Sequence, residues 1–210
     1  MLNIGIDIDG VITNIESCII DYGTKYCYEH NLDYTINLNE YYEGKIFNLP
    51  DDIVEKIWNK YLGEYAQNEQ PRKFAAEVIS KLKENNNIYI ITARNEVGLP
   101  KELYGTMQTL VKEWLTKYNI QYNKLIFTSE DKLETCLKNN IDIMIEDSPK
   151  NILEISNKIP VICFNNDYNT KIYGNNIIRA YSWYDIARIV RDWKHWFMQN
   201  YKAQIDVFKQ

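Results

Sequence analysis

The chain is poor in residues on which several classes of function depend. Histidine occurs only as His30 and His195, neither with a ligand-like partner near it in sequence, so no histidine chemistry is expected. The four cysteines, Cys18, Cys27, Cys136 and Cys163, are scattered without short paired spacing. That excludes zinc-ribbon and disulfide-framework patterns, and three of them fall in apolar periodic stretches where a small buried thiol is expected. No apolar run approaches the ~18 residues that would span a bilayer. Met1 leads into a strand rather than into a basic segment with an apolar core behind it, so a cytoplasmic protein with no membrane partner is expected. A long basic stripe is missing as well. With a net charge of −5, a nucleic-acid polymer is not an expected partner, and an acidic protein that handles phosphate must gather its few cations locally. No internal repeat or low-complexity linker is present.

What remains is ordinary globular composition, 45% hydrophobic and 25% charged over 210 residues. That suits one domain with a sizeable insertion, or two small ones. Ile4-Gly5-Ile6 reads as a buried strand. Ile15, Cys18, Ile19, Tyr22 and Tyr26 recur at helical spacing, a looser stretch follows from Asn31 to Asn48, and Pro50-Asp51-Asp52 opens a helix carrying Ile53, Ile57, Tyr61 and Tyr65. Phe74, Val78 and Leu82 mark another. Strand and helix then alternate: strands at Ile88–Ile91, Leu125–Phe127, Ile141–Ile145 and Val161–Phe164, with helices over roughly 101–118, 131–139, after Ser148-Pro149, and from Ser182 through Trp193 to Phe197. This predicts an α/β fold, a Rossmann-like parallel sheet with helices on both faces. About 80 residues separate the first two strands, far more than a simple crossover needs. Residues 14–72 are therefore read as a helical insertion over the carboxyl edge of the sheet, and 1–13 with 73–210 as the core domain.

Four short segments sit where such a sheet holds its ligands, beyond the carboxyl ends of strands. Asp7 and Asp9 follow the first strand at i and i+2, which aims both carboxylates to one side, and Gly10 permits the turn. Thr92, with Ala93 and Arg94, ends the next strand. Lys132 begins a helix after Thr128-Ser129-Glu130-Asp131, and Glu146-Asp147 ends a third strand. Transfer of a phosphoryl group from a monoester needs a nucleophile, a proton donor for the leaving oxygen and positive charge around three oxygens. Asp7 suits the nucleophile and Asp9 the general acid and base. Thr92, Ala93 and Lys132 suit phosphate binding, with Lys132 favoured over Lys124 and Lys150. Asp7, Asp9 (through its carbonyl) and Asp147 suit a hard cation such as Mg²⁺, with Glu146 acting through water. Arg94 reads equally as a phosphate contact and a surface ion-pairing residue. Tyr41, Tyr42 and Phe47, in the looser stretch, are candidate substrate contacts, whereas Ile53, Ile57, Trp58 and Tyr61 read as core. The C-terminal tryptophans cover the sheet or a homodimer contact.

In this order the segments DIDGV, IITAR, TSEDK and IMIEDSP resemble the four motifs of the haloacid-dehalogenase-like superfamily of aspartate-nucleophile phosphatases, over essentially the whole chain. GIDIDGV, ITAR and IEDSPKN are most similar to its 5′(3′)-deoxyribonucleotidase branch and bacterial nucleotidases. The resemblance implies Mg²⁺, a small helical cap after the first strand, and nucleoside monophosphates as substrates. Two positions depart from that branch: Ala93 stands where a serine is frequent, and the acidic pair is Glu146-Asp147 rather than Asp-Asp. A sugar-phosphate phosphatase or phosphomutase is the alternative within the superfamily. A non-catalytic phospho-ligand module is the second, with the retained Asp7 and Asp9 speaking against it.

Overall fold

The computed structural model describes residues 1–94, 106–128 and 131–193. Six strands form one sheet: β1 (Asn3–Ile6), β2 (Asn87–Thr92), β3 (Lys124–Phe127), β4 (Ile143–Glu146), β5 (Val161–Phe164) and β6 (Ile177–Ala180). Their order is β3-β2-β1-β4-β5-β6, and every neighbouring pair is parallel. The chain steps outward from β1 to β3, returns to the other side of β1 at β4, and proceeds to β6. The order therefore reverses at β1, the position where open sheets of this type hold ligands.

The period-2 alternation of the strands sorts their side chains into two cores. Ile4, Ile6, Ile90, Ile143, Ile145 and Ile162 face one side. There they meet α4 (Ala75–Lys83), α5 (Met107–Lys117) and the terminal helix over 183–193, through residues such as Val78, Trp114 and Trp183. Ile91, Met144, Val161 and Cys163 face the other side, against α6 (Lys132–Lys138) and α7 (Pro149–Ser156). Helices thus cover both faces, as the strand patterns require. All four cysteines are buried free thiols. Among the described residues no helix is long and apolar enough to cross a membrane. Trp183 is buried against Phe164, so it covers the sheet; Phe197 lies outside the described residues.

Between β1 and β2 the chain builds α1 (Ile15–His30), α2 (Glu43–Phe47) and α3 (Asp51–Asn68) before α4. Asn31 and Asn48 close α1 and α2 in left-handed conformations, which asparagine tolerates better than most residues. Ile19, Ile46 and Phe47 form one small core, and Tyr26, Ile57 and Tyr61 a second. Gly23 lets the Phe47 ring settle on α1: a Cβ there would lie 2.3 Å from the ring. The two chain crossings lie side by side, with Thr13 bridged antiparallel to Pro71 and the Arg72 N–H donating to the Ile12 carbonyl at 2.7 Å.

Two elements escape the pattern reading. β6 is an edge strand whose apolar run is only Ile177-Ile178 before Arg179, too short to announce itself. α2 spans five residues, too few for a helical period to show. Phe74 precedes α4 rather than belonging to it, and is exposed with φ 69°.

Candidate active site

The segment after β1 brings the first pair of acids into place. Asp7 is extended, and its N–H continues the sheet by donating to the Ile145 carbonyl at 3.1 Å. Asp9 is also extended, and Gly10 turns the chain back with φ 77°. No other residue fits at Gly10, because a Cβ would sit 2.0 Å from Asp147 Oδ2 and 2.7 Å from the Tyr168 hydroxyl. Arg72 holds this turn from outside. Its guanidinium donates to the carbonyls of Thr13 (3.1 Å) and Gly10 (3.3 Å) and to the side chains of Asn14 (3.2 Å) and Asn166 (2.5 Å).

Three carboxylates and one ammonium meet at the centre. Lys132, projected by the first turn of α6, places Nζ 3.0 Å from Asp7 Oδ1 and 2.8 Å from Glu146 Oε2, and all three groups are buried. The other oxygen of Glu146 accepts the backbone N–H groups of Asp147 (3.2 Å) and Ser148 (3.1 Å). Glu146 thereby orients both Lys132 and the strand end that carries Asp147. Asp147 accepts the Tyr168 hydroxyl on Oδ2, and its carbonyl accepts from Asn169 Nδ2 at 2.8 Å. Its Oδ1 is buried and finds no partner among the described residues.

Asp9 belongs to a separate network. Arg94 grips it with Nη2 at 2.8 Å from Oδ1 and Nε at 3.1 Å from each oxygen, and the Tyr65 hydroxyl donates to the same Oδ1. Tyr65 is held by Thr13 at 2.8 Å. The Arg94 guanidinium lies 4.9 Å from the Tyr65 ring centre and 5.6 Å from that of Trp114, an arrangement that fixes its plane. Its Nη1 is buried without a partner among the described residues.

The electrostatics divide along the same line. Burial pushes the Asp7 carboxyl up to about 8, with Glu146 and Asp9 adding to the rise and Lys132 opposing it. Asp147 is raised well above the usual carboxylate range, by burial first and then by Glu146 and Asp7. Burial also works against ionised Asp9, yet the charge and hydrogen bonds of Arg94, with the Tyr65 hydroxyl, outweigh it and hold Asp9 below its ordinary value. Lys132 is raised: its burial is overcome by Asp7 and Glu146.

One observation tests these residues as a cation site. Asp7, Glu146 and Asp147 each bring a carboxylate oxygen within 4.8 Å of the others, with Lys132 as the ammonium among them and Asp147 Oδ1 unsatisfied. Buried charge of one sign and an orphaned hard oxygen are what a divalent cation such as Mg²⁺ relieves, so the donor set fits. The side chain of Asp9 lies outside that group, occupied by Arg94.

Above the acids opens a cavity of about 660 Å³, within the size range of small-molecule sites. Asp7, Asp9, Ala93, Arg94, Lys132 and Asp147 form its floor, and Ile19, Tyr41, Ile46, Val54 and Trp58 its roof. Thr92 lies just beneath, buried, with its hydroxyl accepting the Arg94 N–H at 3.2 Å. Of the expected cations, Lys132 reaches the site, while Lys124 binds Asn139 and Lys150 faces Glu154 on the surface. Arg94 is no surface residue.

The aromatic expectations need correction. Phe47 is buried at 1% exposure in the α1–α2 core, because Gly23 leaves a seat for its ring, and it does not line the cavity. Tyr42 stands 60% exposed beside Tyr41 and outside the cavity lining. Tyr41 does line it, edge-on to Tyr168 at 5.2 Å. Trp58, expected in the core, lines it too. The sequence reading passes over Tyr65 as one more helical-face aromatic, and over Arg72, Asn166, Tyr168 and Asn169 altogether. The polar run Asn165-Asn166-Asp167-Tyr168-Asn169 directly after β5 is a signal for the last three, since it leaves a strand at the ligand-bearing edge.

Comparison with known proteins agrees with this geometry. A nucleotidase of Clostridium acetobutylicum is 33% identical over 195 residues, covering 90% of this chain and 93% of that protein. YqfW of Bacillus subtilis, whose provisional name is also nucleotidase, is 28% identical over 199 residues, covering 93% and 96%. Among solved structures, a haloacid-dehalogenase-like family hydrolase of Streptococcus pneumoniae superposes with a TM-score of 0.63 at 12% identity, covering 90% of this chain and 98% of that one. The family model described as 5′ nucleotidase, deoxy (Pyrimidine), cytosolic type C protein matches residues 1–195. The chain therefore belongs to this 5′ nucleotidase family, shares its fold with the haloacid-dehalogenase-like hydrolase, and is a phosphomonoester hydrolase.

Proposed function

We propose that the protein is a Mg²⁺-dependent nucleotidase that releases phosphate from 5′- or 3′-(deoxy)nucleoside monophosphates through an aspartyl-phosphate on Asp7. The observation that carries this reading is the position of Asp7. Among the described residues it is the one carboxylate that touches Lys132, belongs to the acid trio, and lines the floor of an aromatic-roofed cavity. An oxygen of Asp7 attacks phosphorus as the ester oxygen leaves, and Asp9 gives that oxygen its proton. Asp9 then takes a proton from water as the water oxygen attacks phosphorus, which frees phosphate and restores the Asp7 carboxylate. Lys132 and Ala93 hold phosphoryl oxygens, and Thr92 fixes the turn that presents Arg94.

A Mg²⁺ ion held by Asp7, Asp147, Glu146 and the Asp9 carbonyl would supply positive charge that keeps Asp7 ionised and stabilises the transferring group. Asp9 must carry a proton before it can act as an acid, yet Arg94 favours its ionised form. In this reading the incoming phosphate draws the guanidinium away from Asp9. Residues 14–72 act as the cap. Beside the carboxylates of the cap, Tyr41 and Trp58 offer ring faces on which a base can stack, which favours a nucleotide over a sugar phosphate.

The test is phosphate release from a panel of nucleoside monophosphates and sugar phosphates, with Mg²⁺ and with EDTA. Metal-dependent release confined to nucleotides is expected. Release from sugar phosphates alone would overturn the substrate, and undiminished release in EDTA would overturn the metal.

A further inference from the structure

The reaction leaves several cavity carboxylates unused. Glu16 accepts the Asp167 N–H at 3.1 Å, and Asp51 and Glu55 are exposed to solvent. Glu43 differs from all three. It is half-buried at the first turn of α2, in a roof shared with Ile46, Val54 and Trp58. Trp58 shares the cavity lining with it, and none of the ion pairs among the described residues includes it. Burial raises its pKa, against its own backbone N–H and Trp58. A carboxylate so placed has lone pairs to spare and no paired cation among the described residues, a state that a donor on a ligand relieves.

We infer that Glu43 is a specificity-determining residue of the cavity, which accepts a hydrogen bond from the exocyclic amine of a nucleobase and so favours cytosine over uracil. The inference rests on the nucleotidase reading above. With the phosphate fixed at the floor by Lys132, the far end of the substrate lies under the roof, where Trp58 offers a ring face and Glu43 an acceptor at its edge. Cytosine presents an N–H₂ donor at ring position 4, and carboxylates pair with that group in base recognition. Uracil presents an oxo group at the same position, which a carboxylate repels. Glu16, Asp51 and Glu55 add negative potential around the same space. An apolar roof alone would separate two rings of nearly equal shape only weakly, whereas a polar group built into it leaves an unpaired partner when the wrong ring binds.

The test compares kcat/KM for dCMP and dUMP in the wild type and in Glu43→Gln, whose amide can donate to an oxo group. The wild type is expected to favour dCMP by about ten- to a hundredfold, and Glu43→Gln to collapse or invert that ratio. A substrate-side measurement needs no variant to fold: N4,N4-dimethyl-dCMP, which lacks the donor, is expected to lose at least tenfold against dCMP on the wild type. An unmoved ratio in folded Glu43→Gln, or dimethyl-dCMP turned over as well as dCMP, overturns the role of Glu43 while the nucleotidase reading stands. Turnover of purine nucleotides but of neither dCMP nor dUMP overturns the role of Glu43 alone, whereas hydrolysis of p-nitrophenyl phosphate with turnover of no 5′- or 3′-nucleoside monophosphate overturns the nucleotidase reading itself, and the role of Glu43 falls with it.

Discussion

The floor and the roof of the cavity are built by different means. Each floor group is held by partners distant in sequence: Asp9 by Tyr65 and Arg94, Asp7 by Lys132, Asp147 by Tyr168, the Gly10 carbonyl by Arg72 and Asn166. Most of these groups are charged and buried, so removing one strands another. The roof is held by apolar contacts among α1, α2 and α3, where volume matters more than identity and hydrophobic exchanges of similar size are tolerated. The floor therefore serves one chemistry, while the roof is free to differ in what it recognises.

Five substitutions would break or sharpen that contrast. Asp7→Asn should lower kcat on the order of 10⁴-fold or more, read as phosphate release, with the fold retained in circular dichroism because the amide oxygen still accepts from Lys132. A modest loss would mean the floor does not act as one unit. Phe47→Ala comes next. It should destabilise the protein by about 3–5 kcal/mol, the range for deleting a buried ring, measured by urea unfolding, whereas Tyr42→Ala should move stability by no more than about 0.5 kcal/mol. An effect of Phe47→Ala on KM with stability intact would make it a cavity residue after all. Gly10→Ala should cost about 1–3 kcal/mol, because a side chain at φ 77° is strained. It should also depress activity, since the new methyl group displaces Asp147. The smallest change in activity is expected from Trp58→Phe, where KM for nucleotides should rise roughly two- to tenfold as the larger ring face is lost.

How far the molecule can be read from its sequence follows the same division. Asp7, Asp9, Lys132 and Asp147 stand at strand ends and helix starts, so periodicity and short spacing are enough to bring them together. Tyr65 reaches Asp9 across 56 residues, and Arg72 reaches Asn166 across 94. No local pattern separates a tyrosine on a helix face that packs from one that donates to an acid. Phe47 fills the small core of α1 and α2, while Trp58 both packs against that core and lines the cavity: which aromatic ring is enclosed depends on where Gly23 leaves room, a tertiary fact. β6 stayed hidden because an edge strand buries too little to need a long apolar run.

The central position of β1 has a consequence for the order in which activity is acquired. Its pairing with β4 joins Ile4 to Ile143, and its pairing with β2 joins Ile4 to Ile88, whereas α1 to α3 close over neighbouring stretches of chain. Contacts between distant segments form late, because the loop they close must first be ordered. During refolding the helical signal should return ahead of catalysis, and turnover should report completion of the sheet rather than compaction of the chain.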